Sequence, residues 1–372
     1  MAGYVGGVVG PVVVSTPDVV GERMAGPGIR AWHFAEELAK HFPTTLVAKL
    51  EGSAPPPAPF PILARRSPDA NAAIRNARVL VAQSARRFIP RRGQRVIFDL
   101  FDPIVLELRE LYGAAPSPRQ RLHVAAEWWR LMVALRFGDL LIAATPKQRE
   151  FYRSVQSTDA PWIEVPFGVE SDPVATKATK ENLVLWNGGV WEWLDPSIAV
   201  DAVTQLNREG VEAKLLFLGR ARPNSELVDR RRDDRFEELL ARGAPYVEAN
   251  SEWVPYRDRL SWLRRAKIAI MLHRPTREAV YSIRTRLFDA IASGTPVIAT
   301  EEGFAAELVA REGLGIVVPP SDAGAVARAM RRLLCDDTFH GQCVTNLGRI
   351  RPQFSWPSVT RPLVDAIRDM NE

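Results

Sequence analysis

Residues 268–299 read IAIMLHRPTREAVYSIRTRLFDAIASGTPVIA. Two short apolar runs, at 268–272 and 296–299, bracket a longer segment in which apolar residues recur at helical spacing. A strand, a helix and a second strand in this order form the repeating unit of parallel sheets. The segment therefore predicts an α/β fold.

The same alternation continues in both directions, since each β-branched run is followed by a longer amphipathic stretch, as in the helix predicted at residues 28–41. The class is therefore predicted to be α/β throughout. The predicted strands cover residues 12–15, 45–49, 79–82, 96–99, 140–143 and 163–165 in the first half, and 183–186, 214–218, 268–272, 296–299 and 315–318 in the second.

The length of 372 residues is sufficient for two domains. Residues 170–181 are polar, contain Pro173 and lack an apolar period, as expected of a linker. We therefore predict a first domain at 1–170 and a second at 171–354. A final helix, predicted at about 357–370, is followed by no strand.

The composition excludes several classes of protein. A hydrophobic content of 46% and a charged content of 25% are typical of soluble globular chains. No run approaches the ~20 apolar residues of a spanning helix, so we expect a cytoplasmic protein. Cys335 and Cys343 lack neighbouring metal ligands, which favours free buried thiols and no metal site.

The net charge is +5. The basic residues are not interleaved with aromatic residues as in nucleic-acid-binding modules, so we expect no nucleic-acid partner. One basic cluster has few acidic neighbours and is a candidate for contact with an acceptor or with the surface of a membrane. It consists of Arg86, Arg87, Arg91, Arg92 and Arg95.

A glycine-punctuated loop, residues 21–30, follows the first strand and leads into a helix. Free N–H groups and the helix dipole make such a terminus suitable for a phosphate. Gly26, Gly28 and Arg30 are the candidate contacts. The loop lacks the spacing of a dinucleotide-binding fingerprint.

A second glycine loop follows the first strand of the second half, at residues 187–195. Gly188 and Gly189 would let a ligand approach the backbone, and Trp191 and Trp193 would line the site. The alternative is that both tryptophans belong to the core.

Three polar side chains fall near the predicted start of the helix within residues 268–299, namely Ser282, Arg284 and Arg286. Arginines at a helix N-terminus are unfavourable to the dipole unless an anion binds there. A diphosphate is such an anion, and its oxygens match the guanidinium fork. Pairing of the arginines with Glu278 or Asp289 at the surface is the alternative.

These motifs together resemble the family-4 glycosyltransferases, and among them a bacterial branch with Ser-x-Arg-Thr-Arg before a helix that contains Asp. The likeness extends over nearly the whole chain. It includes the loops at 21–30 and 187–195, the segments 99–103 and 253–256, and the turn at 292–296. The resemblance implies a GT-B fold, in which two Rossmann-like parallel-sheet domains face a central cleft and a C-terminal helix, here within 355–372, crosses back to the N-terminal domain.

The resemblance also implies an activity: transfer of a sugar from a nucleoside diphosphate sugar with retention of configuration and without metal or cofactor. Arg284 and Arg286 would hold the diphosphate, and Arg284 would stabilise the charge of the leaving group. Asp289 would contact the ribose, and the backbone near Trp253 and Val254 would contact the base.

Three positions depart from the pattern of the family. Tyr281 replaces a glutamate near the sugar, and Glu278 is its candidate substitute. Asp102 replaces a histidine of relatives and is a candidate for orienting acceptor or donor hydroxyls. A lysine expected in the diglycine loop is missing.

Two alternatives remain open at this level. A GT-B epimerase of sugar nucleotides, or an enzyme coupling other partners, would share the diphosphate site. A subunit that binds nucleotide sugars without turnover is the other. The sequence leaves the donor base, the acceptor and the oligomeric state open; the loops at 55–69 and 111–121 are expected to select the acceptor.

Overall fold

The computed structural model of the chain describes residues 10–52, 56–86, 88–170, 180–219 and 230–371. These residues form two compact units. The first comprises Met1–Val105, Ala115–Gly168 and Trp356–Glu372, and the second Leu106–Ala114 and Val169–Ser355.

Thirteen strands lie within the described residues, seven in the sheet of the first unit and six in that of the second. The first sheet contains β1 (Val12–Val20), β2 (Thr44–Leu50), β3 (Ile62–Ala64), β4 (Val79–Ala82), β5 (Arg95–Asp99), β6 (Leu140–Ala143) and β7 (Trp162–Glu164). The second contains β8 (Glu181–Trp186), β9 (Lys214–Phe217), β10 (Val247–Ala249), β11 (Ala266–Met271), β12 (Val297–Thr300) and β13 (Gly315–Val318).

Helices connect these strands. They are α1 (Gly26–Ala39), α2 (Pro68–Asn76), α3 (Ile104–Tyr112), α4 (Pro118–Phe137), α5 (Pro146–Arg153), α6 (Pro196–Arg208), α7 (Arg230–Gly243), α8 (Arg259–Arg265), α9 (Arg277–Tyr281), α10 (Thr285–Ser293), α11 (Gly303–Glu312), α12 (Ala323–Cys335), α13 (Asp337–Ile350) and α14 (Trp356–Asn371). A short 3₁₀ helix, Arg351–Phe354, separates the last two. No described helix has both the length and the apolarity that a membrane crossing requires.

Every strand pair in both sheets is parallel. The orders are β3-β2-β1-β4-β5-β6-β7 and β10-β9-β8-β11-β12-β13. Central strands of parallel sheets are covered by helices on both faces, which explains their continuous apolar runs. The buried side chains of β4, β6 and β12 are examples.

All eleven predicted strands are confirmed, and α1 and α14 match the predicted helices at 28–41 and 357–370. Two strands were missed, β3 and β10, which lie at one edge of each sheet and have three residues each. The predicted linker falls mostly in residues 171–179, outside the described residues. Cys335 and Cys343 are both free, but Cys335 is exposed, which corrects its predicted burial.

The last helix belongs to the first unit and packs on α1 through Trp356, which is only 2% exposed. Its ring stacks on His33 at a centroid distance of 4.6 Å and meets Phe167 edge-on at 5.1 Å. A Cβ atom on Gly168 would lie 2.3 Å from this ring, so only glycine fits there. The predicted return of the C-terminal helix to the first domain is thus confirmed.

Substitution of Trp356 by Ala should destabilise the first unit by about 3–5 kcal/mol, because a large ring is removed from a packed interior. A drop in the first thermal unfolding transition would report this loss. Trp129→Ala is the matched control, because that ring is 65% exposed and its removal should change stability little. Equal effects of the two changes would contradict the packing described for α14.

Candidate functional site

The order of the strands locates a crevice in the second unit. Strands β9 and β10 lie on one side of β8, whereas β11, β12 and β13 lie on the other side. The connections that leave the neighbouring strands β8 and β11 therefore continue in opposite directions along the sheet. Ligands of parallel α/β sheets bind at such a reversal, beyond the carboxyl ends of the strands. The loop after β8 contains Gly188 and Gly189, and the loop after β11 begins at Leu272 and His273. The two loops meet, because the Arg274 N–H donates to the Trp193 carbonyl over 2.9 Å.

The diglycine loop contacts two other predicted residues. Gly188 has φ of +110°, a conformation that favours glycine, and a Cβ atom there would lie 3.2 Å from Nε of Arg286. A Cβ atom on Gly189 would lie 3.4 Å from the ring of Trp253. The Arg286 guanidinium also donates to the Gly189 carbonyl. Three separate segments of the sequence therefore converge here.

The tryptophans of this loop have two roles. Trp191 and Trp193 stack with ring centroids 5.6 Å apart, and Trp193 is 7% exposed and part of the core. Trp191 is half-buried and lies beside Gly189. Trp193 is therefore a core residue, while Trp191 borders the crevice.

The predicted single helix over the arginine motif is two helices. The short α9 ends at Tyr281 with Ser282 as its C-cap, and α10 begins at Thr285 with Arg284 as its N-cap. Ser282 therefore lies between the helices and not in a first helical turn, which corrects the prediction. The first turn of α10 contains no acidic residue, so its positive end is left uncompensated by the chain.

Arg284 forms two hydrogen bonds with Glu278, from Nη1 to Oε1 over 2.6 Å and from Nη2 to Oε2 over 2.7 Å. The carboxylate is fully buried, whereas the Arg284 side chain is 11% exposed. The bidentate pair fixes the plane of the guanidinium. Glu278, proposed from the sequence as a group near the sugar, is instead a positioning residue for Arg284.

Arg286 lies in a more desolvated environment. Burial, followed by the charge of Arg284, lowers the pKa of Arg286 to about 9. Its guanidinium lies over the ring of Trp186 at 5.2 Å. Within the described residues Nη1 of Arg286, Oγ of Ser282 and Oδ1 of Asn187 are buried without a hydrogen-bond partner. Such unpaired buried groups are unfavourable, and a bound ligand with oxygen and hydroxyl groups would satisfy them.

Asp289 is held by a residue that the sequence analysis missed. Its Oδ1 accepts from Nε of Arg259 over 2.9 Å, and the amide of Asn187 donates to its Oδ2 over 3.4 Å. Arg259 stacks 3.5 Å above the ring of Tyr256 and forms an ion pair with Glu170 at 3.4 Å. The burial of the Tyr256 hydroxyl raises its pKa well above its usual range. The basic residue that pairs with Asp289 therefore lies 30 positions away from it in the sequence.

His273, at the end of β11, was also missed. Its backbone N–H donates to Oγ1 of Thr300 over 3.1 Å, and its side chain is buried. Burial, and next the positive charge of Arg284, lowers the pKa of His273 to about 4. The imidazole is therefore neutral at physiological pH and adds no positive charge beside Arg284.

The first sheet also reverses, between β1 and β4, and the loop predicted to bind phosphate lies beside this point. Gln83, just after β4, donates to the carbonyl of Pro27 over 3.1 Å and accepts from the hydroxyl of Thr16 over 2.6 Å. A Cβ atom on Gly28 would lie 2.2 Å from the carbonyl oxygen of Val19. Gly28 therefore permits close packing of α1 on β1, whereas Gly26 opens the helix.

Arg30 is a structural residue, contrary to its predicted contact with the donor. Its side chain and that of Asp99 are both 0% exposed, with two bonds of 2.8 Å between them. The remaining donors reach the carbonyls of Val165 and Pro166 over 2.9 Å each. A guanidinium with four protein acceptors leaves no room for a phosphate. Asp102, three residues after the end of β5, is half-buried, and its backbone carbonyl accepts from the Tyr152 hydroxyl over 3.4 Å.

In the described part of the chain, no three acidic, cysteine or histidine side chains are grouped as a metal site would require. The residues brought together in the second unit are Gly188, Gly189, Trp191, Trp253, Arg284, Arg286 and Asp289. Val254 follows Trp253 and is half-buried. Gly26, Gly28 and Asp102 belong to the first unit.

Residues 181–336 match a family model described as Glycosyl transferases group 1. A stretch of 71 residues is 37% identical to the probable sucrose-phosphate synthase 2 of Oryza sativa subsp. japonica, and it spans 19% of this chain and 7% of that protein.

Two solved structures cover almost the whole chain. The sucrose-phosphate synthase of Thermosynechococcus elongatus superposes with a TM-score of 0.68 at 17% identity, over 97% of this chain and 99% of that one. HepE of Anabaena, solved with UDP and glucose, superposes with a TM-score of 0.72 at 12% identity, over 97% and 100%. The chain therefore has the GT-B fold, with two Rossmann-like parallel-sheet domains.

Replacing Arg30 by Met should destabilise the first unit by about 3–5 kcal/mol, because the buried carboxylate of Asp99 then lacks its partner. Thermal or urea unfolding measures the loss. Arg95→Met removes the exposed pair with Asp139 and should cost only about 0–1 kcal/mol. If Arg30→Met were as mild as this control, Arg30 would have a role other than balancing Asp99.

His273 should make the protein less stable in acid. The unfolded chain takes up a proton on this ring near pH 6.5, whereas the folded chain resists until about pH 4. Because the pKa is lowered in the folded state, the free energy of unfolding is highest above pH 6.5 and decreases as the pH falls. The total decrease down to about pH 4 is on the order of 3 kcal/mol. Melting temperatures between neutral pH and about pH 4 should fall less steeply for His273→Gln than for the wild type.

Proposed function

We propose that this chain is a retaining glycosyltransferase that moves a sugar from a nucleoside diphosphate sugar to an acceptor hydroxyl, in keeping with the match of residues 181–336 to the glycosyl transferases group 1 model. The observation that carries the proposal is the anion site at the start of α10. Two arginines lie there at a helix terminus without acidic residues, beside the strand reversal of the second sheet.

The diphosphate of the donor would bind with its oxygens toward Arg284 and Arg286. Asp289 and Glu278 offset the buried charge of Arg286 only in part, because burial and the charge of Arg284 still lower the pKa of Arg286 to about 9. The lowered pKa of Arg286 records the cost of holding it without an anion. A diphosphate would remove this cost and satisfy Nη1 of Arg286 and Oγ of Ser282.

The same groups would promote the reaction. When the bond between sugar and diphosphate breaks, negative charge grows on the leaving oxygen while the sugar becomes positively charged. Fixed donors stabilise such developing charge more than they stabilise the bound substrate. Glu278 keeps the Arg284 plane in place before the reaction begins, so little reorganisation is required. We propose that these arginines and the terminus of α10 carry the charge without a metal.

The same loops would bind the ribose and the base of the donor. Oδ2 of Asp289 would accept from a ribose hydroxyl in addition to the Asn187 amide, since Arg259 fixes the carboxylate through Oδ1. Trp253, against Gly189, would lie beside the base together with the backbone of Val254. Anabaena HepE was solved with UDP and glucose, which makes UDP the first nucleotide to test. The proposal that the configuration is retained rests on the family resemblance. Asp102 is proposed to orient a hydroxyl of the acceptor or of the donor.

Donor binding should depend on Arg284. With EDTA present, one of UDP, GDP, dTDP and ADP should raise the melting temperature of the wild type, by an amount that corresponds to about 2.7 kcal/mol at a hundredfold excess over Kd. Arg284→Ala should lose this shift, because the leaving-group oxygens lose their charge partner. Differential scanning fluorimetry provides the measurement.

Two further variants make the result specific. Arg311→Ala removes an arginine that is 65% exposed and should keep the full shift. Glu278→Gln combined with Arg284→Gln keeps a polar pair and avoids a buried unpaired carboxylate, so its loss of binding cannot be attributed to misfolding. A nucleotide shift that persists in both Arg284 variants would place the donor elsewhere.

A further inference from the structure

A second concave site lies in the first unit. It is a pocket of about 280 Å³ between one face of the sheet, helix α2 and the chain after β4, at residues 84–86 and 88–94. This volume is near the lower end of the range for small-molecule sites, ~300 Å³. None of the candidate residues named so far for donor binding lines it.

The floor of the pocket lies at the strand reversal of the first sheet. Ser15 of β1 pairs in register with Val47 of β2 and with Ala82 of β4, and all three line the pocket. The chain adds strands in one direction from β1 to β3 and in the other from β4 onward. Parallel sheets bind ligands at this position. The topology therefore supports a ligand site here independently of the charges.

The walls of the pocket carry positive charge. Every charged side chain among the described residues that line it is an arginine, and the set is Arg65, Arg66, Arg75, Arg86 and Arg91. Glu127 offsets Arg86 in part, at 3.7 Å. Of the basic cluster noted in the sequence, Arg86 and Arg91 line the pocket, Arg95 pairs with Asp139 instead, and Arg87 lies outside the described residues.

The backbone around these arginines is well fixed. The Arg65 N–H donates to the carbonyl of Ala48 over 2.7 Å, just beyond β3. Arg66 has φ of +76°, a left-handed conformation that is costly for arginine and that clusters at functional sites. The Gln94 amide links the two walls, because it donates to the carbonyls of Ile74 and Ala77 over 2.7 and 3.0 Å.

We propose that this pocket binds a phosphate group and that the acceptor of the transfer is a phosphorylated molecule. The second clause rests on the proposed function; the phosphate site itself does not. Several guanidinium groups around one small pocket repel each other, and an anion with two or more charges relieves this repulsion. Phosphate oxygens match the guanidinium fork, and the polar side chains of Ser84 and Asn71 would supply further hydrogen bonds.

The phosphate could belong to a soluble compound or to a lipid, and two probes separate these sources. Calorimetric titration with glycerol 3-phosphate tests a soluble phosphate monoester. Co-sedimentation with phosphatidylcholine vesicles, with and without phosphatidic acid, tests a lipid-borne monoester. Each is measured on the full chain, wild type and Arg75→Gln/Arg91→Gln, which removes one exposed arginine from each wall.

The double variant should bind the effective probe at least about tenfold more weakly, because charge-assisted hydrogen bonds are lost. Arg153→Gln, at an exposed arginine of α5 outside the pocket, should bind as the wild type does. Binding of glycerol 3-phosphate supports a soluble acceptor, and binding only to vesicles with phosphatidic acid supports a lipid-linked one. Binding of neither probe, or equal binding by all three proteins, overturns the proposal.

A parallel titration with UDP keeps this proposal separate from the proposed function. Loss of the phosphate response with UDP binding intact refutes the pocket alone. Absence of UDP binding in the wild type, with the phosphate response intact, refutes the donor site and leaves the pocket in place.

Discussion

The reversal of strand order is the constraint on which both domains of this protein depend. A parallel sheet that starts from a central strand and extends to both sides must at one point direct two neighbouring loops apart. That point lies between β1 and β4 in the first sheet and between β8 and β11 in the second. The diglycine loop, His273 and the arginine motif follow from the second reversal, and the arginine-lined pocket follows from the first. The position of each site is thus set by topology before any particular side chain is considered.

Charge balance then decides which arginines can act on a ligand. Arg30 has four protein acceptors and no exposure, so it stabilises its domain. Arg284 is held by its bidentate pair with Glu278 and keeps a small exposed fraction, so its guanidinium is fixed at the edge of the site. Arg286 retains an unpaired donor in a desolvated setting. The same residue type therefore has a structural role at Arg30 and a proposed ligand-binding role at Arg284 and Arg286.

The strands could be predicted because most of them are continuous apolar runs between helices, a signal that resides in local sequence. The edge strands β3 and β10 were missed, since three residues carry little periodicity, although the equally short edge strand β7 was predicted. Arg284 and Arg286 were found because a helix start without acidic residues is visible in the sequence. Arg259 was missed and Arg30 misjudged for the opposite reason, since their partners lie 30 and 69 positions away. Burial and long-range pairing have no local signature, and they decide what an arginine does.

The pair of Arg30 and Asp99 has a consequence for how this sequence can change over generations. Either residue alone, in a space without solvent, is an unbalanced charge, so a chain that loses one must pass through a poorly folded intermediate. Apolar residues at both positions are tolerable, whereas mixed states are not. The two positions should therefore covary among descendants of this chain, either as a charged pair or as two apolar residues. The exposed ion pair of Arg95 with Asp139 places no such demand on Arg95, which can change alone.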